Sequence, residues 1–177
     1  ITTDVGGGFG MKLFNYPEYI CSLFASKKIG RPVKWISERT EAFLSDTHGR
    51  DHLTKAKMAL DKNGIFLGVK INTTANLGAY LSNFAIFIPT LAGTAMLAGC
   101  YKTPAIYVNV LGVFTNTPAI DAYRGAGRPE ASFVIERLVD IAGIKTGLGP
   151  IEIRRRNLIP ANEMPYKTAL NHTYDSG

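Results

Sequence analysis

Four glycines and one phenylalanine occupy residues 6–10, the glycine loop, in the order Gly-Gly-Gly-Phe-Gly. Glycine lets the backbone approach a ligand without a Cβ in the way, and successive amides can form an anion-binding nest. The loop matches neither the Gly-x-Gly-x-x-Gly fingerprint of dinucleotide-binding folds nor the Gly-Lys-Ser/Thr ending of a P-loop. The residue types therefore indicate an anion cradle, with a tight structural turn as the alternative.

A second glycine-rich segment, residues 121–130, reads Asp-Ala-Tyr-Arg-Gly-Ala-Gly-Arg-Pro-Glu, and we call residues 122–128 the arginine loop. Arg124 and Arg128 flank its glycines, and the residues that follow predict a helix. Backbone amides, a helix N-terminus and two guanidinium groups would converge there, which suits an anionic, flat ligand rich in heteroatoms. The alternative is that either arginine pairs with Asp121 or Glu130 and only holds the loop.

The elements that must position these loops mix helices and strands without a strict βαβ alternation. Pro17 suits the first turn of a helix after the glycine loop, and Pro129 suits the first turn of a longer helix after the arginine loop. Alternating runs over 52–60 and 65–76 flank an Asn-Gly turn and predict a β-hairpin, and a third run covers 106–114. The pattern predicts an α+β fold with a mixed, largely antiparallel sheet and helices packed on it.

Shorter patterns predict further local structure. Short helices are expected near 38–44 and 151–157, a buried strand at 33–36, and loop from 160 to 177. The two cysteines lie far apart without metal-ligand spacing, and they predict buried, reduced thiols: Cys21 and Cys100. The return strand of the hairpin is expected to place one face in the core: Ile65, Leu67, Val69 and Ile71.

Charge and hydropathy limit the partners. The chain carries 20 Lys and Arg against 14 Asp and Glu, a net charge of +6. The basic residues are scattered, and no nucleic-acid motif or stacking-aromatic platform accompanies them, so no nucleic-acid partner is expected. The longest weakly polar stretch, 84–100, is broken by Pro89 and is shorter than the roughly 20 residues of a spanning helix, so no membrane span is expected either.

The motifs at 6–10 and 122–131, in this order and more than a hundred residues apart, resemble two signatures of one family. It comprises the molybdopterin-binding large subunits of xanthine dehydrogenases, aldehyde oxidases and aerobic carbon monoxide dehydrogenases. The segments Glu-Ile-Arg-Arg-Arg-Asn-Leu-Ile at 152–159 and Thr-Tyr-Asp-Ser-Gly at 173–177 resemble the same family. The resemblance implies that residues 1–177 are a single partial molybdopterin-binding domain, an internal fragment of a longer subunit.

The resemblance also implies a molybdenum hydroxylase, an oxidoreductase that oxidises an aldehyde or N-heterocycle with water as the oxygen source. Molybdopterin, as the cytosine dinucleotide, would be bound here, and partner subunits in the same cytoplasmic complex would carry iron–sulfur clusters and FAD. The family's catalytic glutamate belongs to a motif outside this chain, so no catalytic or metal-ligating residue is assigned and the isolated chain is expected to be inactive. The cofactor-binding residues implied by position are Gly6, Gly7, Gly8, Phe9, Gly10, Tyr123, Arg124, Gly125, Ala126, Gly127 and Arg128.

Three positions depart from particular branches of the family. Gly125 stands where copper-dependent carbon monoxide dehydrogenases carry a copper-binding cysteine. Leu13 and Ala126 stand where purine oxidisers carry a glutamate and a phenylalanine. The sequence thus resembles the carbon monoxide dehydrogenase-like and aldehyde-oxidising branch, without carbon monoxide or purine as the expected substrate. Two other classes stay as alternatives: a stand-alone anion- or nucleic-acid-binding module, and a structural lobe that docks partner subunits.

Overall fold

The computed structural model describes residues 4–176 of the chain. Its central sheet has three strands, β1 (His52–Leu60), β2 (Phe66–Asn76) and β3 (Ile106–Val113). β1 and β2 pair antiparallel across the predicted Asn-Gly turn, whereas β2 and β3 pair parallel, so β2 is the central strand. The predicted hairpin, the third strand and the mixed character of the sheet are confirmed.

Two helices pack on one face of this sheet, α3 (Arg128–Thr146) and α4 (Gly149–Asn157). Pro129 lies in the first turn of α3, and Gly147 ends the helix in the left-handed conformation that glycine adopts at low cost. These two helices and the sheet confirm the α+β class. No helix among residues 4–176 is long and apolar enough to cross a membrane.

The core lies between the sheet and these helices. Apolar side chains of α3 at helical spacing meet the inward side chains of β2, because both surfaces gain by leaving water. The buried cluster consists of Phe66, Val69, Ile71, Leu97, Tyr101, Ala131, Ile135, Val139, Ala142 and Ile153.

A β-bulge at the start of β2 decides which of its side chains reach the core. Leu67 is the extra residue, because the pairing register with β1 shifts across it. Phe66 is consequently buried, whereas Ile65 and Leu67 are exposed. The predicted core face is therefore wrong at these two exposed positions and correct at Val69 and Ile71, which lie beyond the bulge.

α1 (Pro17–Ile29) and α2 (Arg39–Ser45) precede the sheet and confirm the helices predicted there. Neither helix buries a residue within the described part of the chain. Residues 33–36, between them, are irregular, and Trp35 is 40% exposed. The predicted buried strand is wrong because, among residues 4–176, no strand pairs with this segment.

The C-terminal segment contains a small hairpin where loop was predicted for 160–177. β4 (Tyr166–Lys167) and β5 (Thr173–Tyr174) pair antiparallel. The Tyr174 hydroxyl donates to the Gly99 carbonyl oxygen at 2.7 Å, which holds the hairpin against the body of the fold. The predicted loop is therefore wrong over these two strands.

Both cysteines are free and exposed, so the prediction of buried thiols is wrong. Cys21 lies on α1, a helix with no buried residue in the described structure. Cys100 precedes the buried Tyr101, and the Tyr101 ring takes the core position instead of the thiol.

Candidate functional site

The glycine loop and the arginine loop contact each other directly. The Arg124 amide donates to the Phe9 carbonyl oxygen at 2.8 Å. A Cβ placed on Gly10 would lie 2.7 Å from the carbonyl oxygen of Ala122, a separation that no side chain tolerates. The Arg124 guanidinium lies 6.0 Å from the centre of the Phe9 ring. The structure thus brings the two predicted site segments together, and glycine at position 10 permits their close approach.

Both loops contain residues with side chains in the left-handed region. Phe9 has φ 51° and Ala126 has φ 45°. This region is costly for residues with a Cβ, and such conformations persist only where the surrounding structure holds them. Strained backbone of this kind clusters at ligand-binding sites. It therefore marks the centres of the same two loops that the sequence singles out.

The loops present unpaired backbone donors. The amides of Gly6, Gly7 and Gly8 make no backbone hydrogen bond within residues 4–176, and the same holds for the Gly125 amide. All four residues are exposed. A Cβ on Gly6 would meet nothing within 4 Å, so the space beside the loop is open. Successive free amides are suited to an anionic ligand.

The two arginines of the site are not neutralised by neighbouring carboxylates. Asp121 is buried, and its carboxylate accepts hydrogen bonds from the amides of Phe84 at 3.1 Å and Ala122 at 2.6 Å. Among the described residues, no ion pair joins Arg124 or Arg128 to an acidic side chain. The alternative in which either arginine pairs with Asp121 or Glu130 is therefore wrong. The Arg128 guanidinium instead donates to the Gly125 and Ala126 carbonyl oxygens of its own loop, at 3.3 Å and 3.5 Å.

Arg50 is a part of the site that the sequence did not reveal. Its guanidinium donates to the Arg124 carbonyl oxygen and lies 4.7 Å from the centre of the Tyr123 ring. Its Nε is 4.0 Å from Oε2 of Glu130. Arg50 thus braces the arginine loop through a backbone oxygen, a ring and the start of α3. No spacing rule relates it to partners more than seventy positions further along the chain.

The segment before β1 carries Arg50 to this place. The His48 amide donates to the Ala119 carbonyl oxygen at 2.9 Å, and the Asp121 amide donates to the His48 carbonyl oxygen at 2.7 Å. A Cβ on Gly49 would lie 2.9 Å from the Cβ of Tyr123. Gly49 is the one sequence signal of this close approach, because only glycine fits between the two segments.

The start of α3 fixes the other end of the arginine loop. Gly127 has φ 91°, and a Cβ there would lie 2.5 Å from the Ile88 carbonyl oxygen and 2.9 Å from the Gly93 nitrogen. A π-helical turn at Ile88–Ala92 therefore packs directly beneath the loop. This turn lies within the weakly polar stretch 84–100 and contains Pro89, the residue that breaks that stretch.

The loops form an open surface, and no residue of either loop lines the cleft at the start of α1. That cleft has a volume of about 810 Å³ and is lined by residues from the start of α1 and from segments 80–83 and 116–118. Phe9 is 49% exposed and Tyr123 is 43% exposed. The chemistry of the donors, rather than the depth of a cavity, marks the site.

Comparison with known proteins assigns the class. Residues 1–158 match the molybdopterin cofactor-binding domain family, and the chain belongs to this family. The predicted family is confirmed.

The chain is 37% identical, over its whole length, to the carbon monoxide dehydrogenase large chain of Hydrogenophaga pseudoflava. It is 35% identical, over 98% of its length, to subunit gamma of the 6-hydroxypseudooxynicotine dehydrogenase complex of Paenarthrobacter nicotinovorans. The crystal structure of quinoline 2-oxidoreductase from Pseudomonas putida 86 superimposes on 97% of the chain with a TM-score of 0.91 and 36% identity. In each case the chain spans 22% of the relative's length.

Proposed function

We propose that this chain is part of the molybdenum cofactor-binding subunit of a molybdenum hydroxylase, which oxidises an aldehyde or an N-heterocycle with water as the oxygen source. The contact between the glycine loop and the arginine loop carries the proposal, because it gathers free amides and two guanidinium groups that form no ion pair among the described residues. Family membership supports it. Because the chain spans 22% of its relatives' length, activity belongs to the longer subunit, and the chain alone is expected to be inactive.

The donors of the two loops fit a phosphate-bearing pterin. Free amides of the glycine loop suit anionic oxygens, and the open space beside Gly6 admits a ligand at the backbone. Arg124 and Arg128 add planar, permanently charged donors that match phosphate oxygens. We assign the cofactor to Gly6, Gly7, Gly8, Phe9, Gly10, Tyr123, Arg124, Gly125, Ala126, Gly127 and Arg128.

The bound cofactor supplies two-electron oxidation at a substrate carbon. The residues of this chain hold and orient it: the hydrogen bond from the Arg124 amide to the Phe9 carbonyl sets the separation of the loops. Arg50 keeps the Tyr123 ring and the Arg124 backbone in place. Donors fixed in this way need no reorganisation when charge develops nearby. We place the catalytic base outside this chain.

Gly125 disfavours copper-dependent oxidation of carbon monoxide, although a carbon monoxide dehydrogenase large chain is among the relatives. Copper(I) prefers soft thiolate ligands, and neither cysteine of the chain lies in the arginine loop. Leu13 and Ala126 likewise disfavour a purine. Two relatives are named for quinoline and for a nicotine derivative, both of which contain a nitrogen heterocycle. We therefore favour an N-heterocycle or an aldehyde as the substrate.

The relatives include a large chain and a subunit of a named complex, which supports a multi-subunit assembly. We propose that partner subunits carry iron–sulfur clusters and FAD, that the molybdopterin is the cytosine dinucleotide form, and that the complex is cytoplasmic. We further propose that residues 1–177 are a single partial domain. The hydrogen bond from the Tyr174 hydroxyl to the Gly99 carbonyl oxygen supports this proposal. It attaches the segment after residue 158, where the family match ends, to the rest of the fold.

Replacing Arg124 in the full-length subunit tests the proposal. Arg124→Leu removes a charged donor, and hydrogen bonds to charged groups are each worth about 1.5–3 kcal/mol. We expect cofactor affinity to fall roughly tenfold or more, and the molybdenum content of the purified subunit, measured by elemental analysis, to fall with it. Arg155→Leu, which alters an exposed arginine of α4, is the matched control and should retain wild-type molybdenum.

The competing functions predict other results. A structural lobe with a vestigial site predicts unchanged molybdenum content and turnover in both Arg124→Leu and Gly8→Val. A stand-alone anion- or nucleic-acid-binding module predicts salt-sensitive binding of random DNA at roughly micromolar affinity. Either result would overturn the proposed function.

A further inference from the structure

Glu130 lies in the first turn of α3, two residues after the arginine loop, and its carboxylate is largely buried. The side chain is 16% exposed, and Oε2 is buried without a hydrogen-bond partner within residues 4–176. A carboxylate is favoured near a helix start, but an exposed side chain satisfies that preference equally well. A buried charge costs free energy unless a group of opposite charge lies beside it. The burial of Glu130 therefore requires a cation nearby.

Arg50 supplies that cation. Its Nε lies 4.0 Å from Oε2 of Glu130, and Glu130 forms no other ion pair in the described part of the chain. His52 also feels the charge of Glu130, but burial lowers the pKa of this imidazole below its ordinary value of 6.5. His52 is therefore neutral at neutral pH and does not balance the carboxylate. The Glu130 carboxylate and the Arg50 guanidinium are each other's counter-charge.

The contacts of the Arg50 guanidinium are with the arginine loop itself. It donates to the Arg124 carbonyl oxygen and lies over the Tyr123 ring. A Cβ placed on Gly125 would lie 3.6 Å from its Nη2. The guanidinium thus lies against three successive residues of the loop. It fixes the backbone that carries the Arg124 side chain, rather than adding a donor of its own to the site.

The backbone of Arg50 is strained in the same way as the two loops. Its φ is 65°, in the left-handed region that Phe9 and Ala126 also occupy. A residue with a Cβ keeps such a conformation only where the surrounding structure holds it. The contacts of the Arg50 side chain with Glu130 and with the loop provide that hold. The position of this guanidinium is therefore set by tertiary contacts and not by a local preference of the chain.

We propose that Glu130 is a positioning residue for the cofactor and acts through Arg50. Its buried carboxylate fixes the Arg50 guanidinium against the arginine loop, and the guanidinium fixes the Arg124 backbone. Donors that are already in place bind a ligand more tightly than donors that must be ordered on binding. The inference rests on the proposed function, because it takes the arginine loop to hold the cofactor.

Glu130→Gln in the full-length subunit tests the proposal, because glutamine keeps the size of the side chain and removes its charge. We expect cofactor affinity to fall about tenfold, as is typical when a group that orients a binding residue is lost. The molybdenum that the subunit retains after dialysis, measured by elemental analysis, should fall with it. The denaturant midpoint of the molybdenum-free subunit should stay close to that of the wild type.

Glu152→Gln is the matched control. Glu152 also pairs with an arginine, and the Nη1 of that residue, Arg156, likewise donates to a distant carbonyl oxygen, that of Asn63. This pair joins α4 to the hairpin turn and includes no residue of either loop, so Glu152→Gln should retain wild-type molybdenum.

Arg50→Met shows whether Glu130 acts through Arg50. The single variant should itself lose molybdenum on dialysis. In the Arg50→Met background, Glu130→Gln should cause no further loss, because two residues that act as one unit have non-additive effects.

Three outcomes overturn the inference. The first is wild-type molybdenum retention in Glu130→Gln while Arg124→Leu loses molybdenum, in which case the proposed function stands and the role of Glu130 fails. The second is an undiminished effect of Glu130→Gln in the Arg50→Met background, because Glu130 would then act without Arg50. The third is a fall in the denaturant midpoint of Glu130→Gln that accounts for the molybdenum loss, or a failure to fold, which would assign Glu130 to the stability of α3. Wild-type retention in both Glu130→Gln and Arg124→Leu would contradict the proposed function as well.

Discussion

Two glycines bound helix α3, and each has a left-handed backbone: φ is 91° at Gly127 and 73° at Gly147. Their surroundings differ. A Cβ on Gly127 would lie 2.5 Å from the Ile88 carbonyl oxygen, whereas a Cβ on Gly147 would meet nothing within 4 Å. Alanine at Gly147 therefore tests the cost of a left-handed backbone alone. Alanine at Gly127 adds the cost of a steric clash beside the candidate site.

Alanine at the two positions should have unequal effects. Gly147→Ala is expected to lower the free energy of unfolding by about 1–2 kcal/mol, the cost of a left-handed alanine. Gly127→Ala is expected to lower it by at least about 3 kcal/mol, because the turn beneath the arginine loop must also move. Denaturant unfolding of the purified subunit measures both values. Equal losses would show that the contact with the Ile88–Ala92 turn is not tight.

At the scale of elements, one side chain ties α4 to the β1–β2 hairpin. The Asn157 carboxamide accepts a hydrogen bond from the Phe66 amide at 2.8 Å and donates to the carbonyl oxygens of Gly64 at 2.9 Å and Ile153 at 2.8 Å. Asn157 and Phe66 are each 1% exposed, so water cannot replace these bonds. The bonds therefore hold the turn and the bulged start of β2 against the helix.

Asn157→Ala should therefore destabilise the fold strongly. It leaves a buried amide and a buried carbonyl without partners, and each unsatisfied group costs about 1–3 kcal/mol. We expect a loss of about 2–4 kcal/mol in the free energy of unfolding. Hydrogen exchange should quicken first in the hairpin turn. Asn162→Ala, at an exposed position, is the control. If the two variants unfold with the same free energy, the Asn157 hydrogen bonds do not hold the hairpin against α4.

Element boundaries were predictable where local chemistry sets them. Pro17 and Pro129 begin helices because their fixed φ suits the first turn, and Gly64 completes the hairpin turn with a φ of 79°, which glycine adopts at low cost. The short segment at 33–36 has the β-branched and aromatic composition of a strand, yet it is irregular. Composition cannot supply a hydrogen-bonding partner, and the described fold offers none.

At the scale of the whole molecule, the pH dependence of stability can be derived from His52. Burial lowers the pKa of this imidazole below its ordinary value of 6.5, and the charges of Glu130 and Asp51 offset part of that shift. The unfolded state therefore binds the proton more readily than the folded state. The contribution of the neutral His52 imidazole to the stability of the folded state is therefore complete above pH 6.5. It is lost as the pH falls through the lowered pKa of the folded state.

His52→Gln should accordingly reduce the sensitivity of the subunit to acid. Between about pH 7.5 and about pH 5.5, the melting temperature of the wild type should fall further than that of the variant. Thermal unfolding followed by fluorescence at a series of pH values measures the difference. His172→Gln, at an exposed position in the C-terminal segment, should follow the wild type. If the melting temperature of His52→Gln falls with pH as far as that of the wild type, the neutral His52 imidazole contributes no stability.

The sequence by itself determined the two loops, the helices and hairpin around them, and the family. Glycine conformations, proline φ and an Asn-Gly turn act over a few neighbouring residues, so they can be recognised without the fold. Only the tertiary structure decided that Phe9 and Arg124 join the loops, that Arg50 braces them and that Leu67 turns outward at a bulge. These features depend on contacts between distant parts of the chain, which local propensities do not encode.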